Sequence, residues 1–210
     1  MPEKGLKIFR EPVYRIIHPI VGWLIRWRIH PNAISTFGFA VTLLAGFLFH
    51  QDHVRYAGLM VLLGGIVDIF DGRVARESGL ESKFGAFYDS TLDRMSEVVV
   101  FVGLASLYNT IRGGVEDVAM VYVILFALGG SLLVSYTRAR AEGLGLDCNV
   151  GLMQRAERVV LLGLGSALFG LAWNGLALDL IIITVAVLTN LTAIQRIVWV
   201  YRHAKGVPLG

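Results

Sequence analysis

The chain is 210 residues long, 55% hydrophobic and 17% charged, with a formal net charge of +3 and a mean hydropathy of +0.65. Its charged fraction falls well short of the roughly 25% of soluble domains, which excludes a disordered chain and argues against an ordinary soluble globule. Cys148 is the one cysteine, so a disulfide scaffold is excluded too.

Residues 1–28 interleave Leu6, Ile8, Phe9, Val13, Ile16 and Trp23 with Lys4, Lys7, Arg10, Arg15, Arg26 and Arg28. This mixture predicts an amphipathic helix lying in a membrane interface. No uninterrupted apolar stretch follows the charges, so a signal peptide is not expected. Six apolar runs near the bilayer-spanning length follow, at 32–50, 54–76, 84–108, 118–140, 154–173 and 176–201. The breaks between them are short enough to be hairpin loops. The expected fold is an all-α integral membrane protein, with six transmembrane helices in one domain over residues 29–205.

Six spans place the N-terminus, the second and fourth loops and the C-terminus on one side. Of the 19 Lys and Arg residues, all lie on that side except Arg55 and Arg112 in the opposite loops and Arg94 inside the third span. Such asymmetry predicts a multi-pass protein of the cytoplasmic membrane with both termini cytoplasmic. No nucleic acid is expected as a partner.

The second and third runs carry four carboxylates at their cytoplasmic ends. Asp68 and Asp71 are three residues apart, and Asp89 and Asp93 four apart, so each pair occupies one helix face. The short connection between the runs forces an antiparallel hairpin that can bring the faces together. Carboxylates in that position repel one another and are costly near a membrane. A divalent cation can neutralise them, and oxygen-only ligands suit Mg²⁺ or Mn²⁺. Helix-end salt bridges to Arg73, Arg76 and Arg94 are the structural alternative.

The pattern D-x2-D-G-x2-A-R-x8-G-x3-D-x3-D runs through Asp68, Asp71, Gly72, Ala75, Arg76, Gly85, Asp89 and Asp93. It resembles the signature of the CDP-alcohol phosphatidyltransferase family at every fixed position. The resemblance implies a six-helix membrane fold with an interfacial N-terminal helix, forming a homodimer. It implies that an alcohol displaces CMP from a CDP-lipid donor. It also implies two metal ions, one held by Asp68, Asp71 and Asp89 and a second shared by these three and Asp93. By the same resemblance Asp93 is the general base, Gly72 and Ala75 leave room for the nucleotide, Arg76 contacts its phosphates, and Asp68, Asp71 and Gly85 also belong to the CDP-lipid site. Gly85 is expected to let the second and third spans approach. His30-Pro31-Asn32 to Ser35 resembles the family's T-P-N-x-x-T entry with both Thr replaced, which nominates Asn32 and Ser35 for the CDP-lipid site.

Arginines bear on the acceptor. Arg138 ends the fourth span, Arg155 and Arg158 open the fifth, and Arg196 lies in the sixth. Guanidinium forks suit phosphate oxygens, so four of them converging would form a pocket for the phosphate of an anionic acceptor. The phrases S-Y-x-R-A-R-A-E and R-x-E-R are similar to the phosphatidylinositol-phosphate synthase branch, whose acceptor is inositol phosphate. A phosphatidylglycerol-phosphate synthase using glycerol 3-phosphate is the alternative. An ion-coupled transporter is a distant one, disfavoured because the sequence has no inverted repeat and its carboxylates sit at one end of the bundle.

Overall fold

The computed structural model describes residues 18–109, 115–170 and 172–204. Lys4, Lys7, Arg10, Arg15, Arg112 and Lys205 lie outside the described residues, as does most of the segment expected to be an interfacial helix. The described residues are helical and contain no strand. Helix α1 covers residues 18–26. It is followed by α2 (Pro31–His50), α3 (Val54–Ser78), α4 (Lys83–Leu107), α5 (Val115–Glu142), α6 (Arg155–Phe169) and α7 (Leu176–His203).

Local signals explain the boundaries. Pro31 opens α2, where its missing N–H costs nothing, and the His30 ring accepts the Asn32 N–H at 3.2 Å. Helix α3 ends at Gly79 in the left-handed conformation, with φ of 67°. Ser82 caps α4 by accepting the Gly85 N–H at 2.9 Å. The α3–α4 connection is therefore a tight reversal, as the sequence predicts.

The fifth apolar run departs from expectation. Its helix stops at Phe169 rather than continuing to residue 173. A 3₁₀ turn, Ala172–Gly175, follows, in which Trp173 and Asn174 take φ of 52° and 57°. The 15 residues of α6 make a helix only about 22 Å long. Among the described residues, three helices are long and apolar enough to cross a membrane: Pro31–His50, Asp117–Glu142 and Ala172–His203.

Helix α2 packs on α3 and α4, α3 on α6, and α5 on α7. Small residues set the separations. A Cβ on Gly103 would lie 2.5 Å from the Gly46 carbonyl oxygen, and one on Gly58 would lie 2.6 Å from that of Gly163. Helix backbones come this close only where a side chain is missing. Of the paired Gly129 and Gly130, only Gly130 faces a neighbour, Thr189 and Asn190 of α7. The main apolar core, with Phe49, Phe101, Leu104, Ile124, Leu178 and Ile182, fills the half of the bundle away from the aspartates. A smaller cluster of Val21, Ile34, Val67 and Val74 ties α1 to α2 and α3. Phe37, Phe47, Phe126 and Ile197 face outward, as an apolar solvent allows.

Gly103→Ala should push α4 from α2 and cost about 1–3 kcal/mol through overpacking. The thermal midpoint of the detergent-solubilised protein should fall accordingly, and an unchanged midpoint would show that the crossing is looser than described.

Candidate functional site

The α3–α4 hairpin brings its two carboxylate pairs to one end of the bundle, where α6 begins. Arg155, the first residue of α6, reaches across them. One of its terminal nitrogens donates to Asp68 Oδ2 at 2.6 Å and lies 2.8 Å from Asp93 Oδ1. Arg94 turns back on its own helix, donating to the Ser90 carbonyl at 2.6 Å and standing 3.6 Å from Asp93 Oδ2. Asp71 is only 4% exposed, yet its Oδ2 has no hydrogen-bond partner. An orphaned, buried carboxylate oxygen is costly unless a cation serves it. Among the described residues, no three His, Cys, Asp or Glu side chains stand as a closed metal-ligand set. The Arg155 guanidinium bridges two of the four carboxylates, those of Asp68 and Asp93. The donor chemistry nevertheless fits a hard divalent ion, because every candidate ligand is a carboxylate oxygen.

Two cavities meet at the aspartates. The first is an open cleft with free space of about 190 Å³ between α2 and the α3–α4 hairpin. Asn32, Ser35, Asp71, Gly72, Ala75, Arg76, Gly85 and Asp89 all line it, so the structure gathers every residue nominated for the nucleotide side except Asp68. Small residues keep it open. A Cβ on Gly72 would meet nothing but the Arg76 guanidinium, at 3.4 Å, whereas one on Gly85 would lie 3.0 Å from Ser82 Oγ and 3.4 Å from Asn32 Oδ1. Gly85 thus makes room for the entry of α2, not for the approach of the second and third spans that the sequence suggests. The second, with free space of about 40 Å³, lies deeper in the bundle and has Asp68 and Arg155 in its wall.

The four nominated arginines do not form one open pocket. Arg138 is half-exposed and bonds Glu142 at 2.8 Å along its own helix. Arg158 is 2% exposed and forks onto Glu97 of α4, with a further bond of 3.1 Å to the Met153 carbonyl. Arg196 is equally buried and donates to the carbonyls of Val150, at 2.8 Å, and Val134. The α5–α6 loop supplies the Met153 carbonyl to Arg158 and the Val150 carbonyl to Arg196. The same loop is held by the Met153 N–H on Thr192 Oγ1 at 2.9 Å. It passes α7 at Gly151, where φ is 146° and a Cβ would strike Thr192 at 2.4 Å. These contacts fix where α6 starts, and hence where Arg155 stands. Glu97 escaped notice in the sequence. Its spacing, one turn beyond Asp93, was the available signal.

Comparison with known proteins identifies the family of the chain. Residues 28–200 match the family model of CDP-alcohol phosphatidyltransferases. An archaetidylinositol phosphate synthase of Methanothermobacter thermautotrophicus is 34% identical over 203 residues, 97% of each chain. A phosphatidylinositol phosphate synthase of Streptomyces avermitilis is 34% identical over 90% of this chain and 80% of its own. The phosphatidylinositol phosphate synthase of Mycobacterium tuberculosis, solved with CDP-DAG bound, is 29% identical. It superposes with a TM-score of 0.80 over 89% of this chain and 94% of its own. The same enzyme in complex with manganese and citrate superposes with a TM-score of 0.78, covering 88% of both chains at 29% identity.

Breaking the Glu97–Arg158 pair should cost stability rather than substrate affinity alone. Arg158→Ala leaves a buried carboxylate uncompensated, at a cost of about 3–5 kcal/mol. Chemical denaturation in detergent should show the loss, and a variant as stable as the parent would show that Glu97 is well solvated.

Proposed function

The chain belongs to the CDP-alcohol phosphatidyltransferase family, and from that premise we propose that it transfers the lipid phosphate group of a CDP-lipid to a hydroxyl of inositol 1-phosphate, releasing CMP. The observation that carries this reading is the position of the aspartates, with an open cleft that gathers Asn32, Ser35, Gly72, Ala75, Arg76 and Gly85 on one side and the Arg155 guanidinium on the other. Relatives named for archaetidylinositol phosphate and for phosphatidylinositol phosphate synthesis support inositol phosphate over glycerol 3-phosphate as acceptor.

Asp68, Asp71, Asp89 and Asp93 are the residues to hold two divalent ions, Mg²⁺ or Mn²⁺. When bound, such ions neutralise the diphosphate and polarise its phosphorus. The remaining roles fall to the chain itself. Asn32 and Ser35 border the cytidine nucleotide on one wall, Gly72, Ala75 and Gly85 leave space for it, and Arg76 contacts its phosphates. Asp93 takes the proton of the acceptor hydroxyl as the oxygen bonds to the lipid-side phosphorus. The bond from that phosphorus to the CMP oxygen breaks. A carboxylate is a weak base here, so holding the hydroxyl in line supplies much of the effect. Arg155 and Arg138 are the arginines suited to receive the acceptor's phosphate. Arg158 and Arg196 act on that phosphate by holding the loop that presents Arg155.

The same reading makes α2–α7 six membrane spans, with the N-terminal segment in the interface. The aspartate end and both termini face the cytoplasm, and the enzyme is a homodimer. The inward bias of Lys and Arg supports the orientation.

Asp93→Asn should abolish CMP release from a CDP-lipid while the protein elutes from gel filtration as the parent does; parental turnover would refute its role. EDTA should stop the reaction, and added Mn²⁺ should restore it. Arg155→Ala should raise the KM for inositol 1-phosphate about tenfold or more, the worth of a charge-assisted hydrogen bond, with little effect on the donor KM. Equal effects on both substrates would argue against a phosphate contact there.

A further inference from the structure

Arg155, Arg158 and Arg196 differ in how firmly they are held. Arg158 donates from all three guanidinium nitrogens, two to Glu97 and one to the Met153 carbonyl, and its side chain is 3% exposed. Arg196 is fixed by the carbonyls of Val150 and Val134. The Arg155 side chain is 27% exposed and bridges Asp68 and Asp93 with one nitrogen, Nη2, while its Nε has no hydrogen-bond partner. Nε and Nη2 form one edge of a guanidinium, the edge by which Arg158 grips Glu97. In Arg155 that edge is only half used. The two bridged carboxylates have their other oxygens placed elsewhere. A Cβ on Gly38 of α2 would lie 3.0 Å from Asp68 Oδ1, and Asp93 Oδ2 stands 3.6 Å from Arg94. Arg155 thus holds one oxygen from each helix of the hairpin, on residues whose donor chemistry fits a divalent ion.

We infer that Arg155 is a coupling residue, which competes with a divalent ion for Asp68 and Asp93 and is drawn away from them by the phosphate of the acceptor. The inference rests on the function proposed above and adds a link between its metal and acceptor sites. Charge balance favours the exchange. With all four aspartates ionised, two divalent ions match their charge, so a guanidinium on the same oxygens is surplus. Cations on shared ligands repel strongly where water is scarce. A phosphate offers Arg155 a better-matched partner, because its oxygens accept both nitrogens of one guanidinium edge at once. The side chain is partly exposed at the start of α6, so it can change rotamer without moving the helix. An acceptor that takes up Arg155 leaves Asp68 and Asp93 to the ion. By linkage, an ion at the aspartates strengthens acceptor binding by the same factor.

Mn²⁺ binding to the full-length protein in detergent, followed by the electron paramagnetic resonance of the free ion, tests the coupling without turnover. Inositol 1-phosphate should tighten Mn²⁺ binding to the parent about fivefold or more, once chelation is corrected by a titration without protein. Arg155→Gln should bind Mn²⁺ about fivefold or more tightly than the parent with no acceptor added, and inositol 1-phosphate should then add nothing. Arg94→Gln removes a positive charge beside Asp93 but no bridge to Asp68, and it should gain less. An Arg155→Gln protein that binds Mn²⁺ no more tightly than the parent, or an equal gain in Arg94→Gln, would overturn the inference. If Arg155→Gln does not fold, the parent decides: inositol 1-phosphate that binds without tightening Mn²⁺ overturns it. Inositol 1-phosphate that does not bind the parent would instead overturn the acceptor reading, and the Arg155→Gln comparison then decides the competition for the aspartates. A parent that binds no Mn²⁺ would overturn the metal reading and this inference with it.

Discussion

Repulsion among four carboxylates at one end of an apolar bundle is the constraint around which this structure is arranged. Asp68 and Asp71 on α3 and Asp89 and Asp93 on α4 come to the same end of the bundle because a short connection joins the two helices and both pack on α2. A cluster of that kind in a poorly hydrated place does not stand without positive charge. Arg155 supplies it, with one terminal nitrogen within 2.8 Å of both Asp68 and Asp93. Much of the remaining polar architecture serves to put that guanidinium there. Arg196 and Thr192 pin the α5–α6 loop to α7, and Arg158 locks the first turn of α6 onto Glu97 of α4.

That arrangement divides the molecule by chemistry. The end remote from the aspartates is a mainly apolar core of aromatic and aliphatic side chains, with glycines where helices cross. The aspartate end carries cavities, buried ion pairs and unsatisfied polar atoms. Buried charge pairs contribute little net stability, because desolvation offsets their attraction. The packed half must therefore carry the fold, which leaves the polar half free to meet the demands of chemistry. A bundle polar throughout would lack the former, and one apolar throughout would have no means of binding a diphosphate.

Much of the fold could be read along the chain. Five of the six apolar runs appear as helices within three residues of their expected limits, because helix length and hydropathy are local properties. The exception is the fifth, where Trp173, Asn174 and Gly175 adopt left-handed backbone that hydropathy does not register. The nucleotide-side residues were legible for a similar reason: the motif packs them into two successive helices joined by a short turn. Asn32 and Ser35 reach the same cleft from α2, which only helix packing brings about.

The arginines mark the boundary of what a sequence conveys. Their number, their sign and their side of the membrane follow from composition and from the order of the spans. Whether a guanidinium meets solvent, a carboxylate or a carbonyl depends on residues far away in the chain. Arg158 meets Glu97, 61 positions distant, and Arg196 meets Val134, 62 positions distant. Glu97 itself is an ordinary acidic residue in a helix until α6 packs against it. The sequence by itself determined the helices, the hairpin and the carboxylate cluster, because each follows from periodicity and short connections. Only the tertiary structure decided which charges are paired, which remain unsatisfied and where cavities open. Those outcomes depend on desolvation and on contacts between elements distant in the chain.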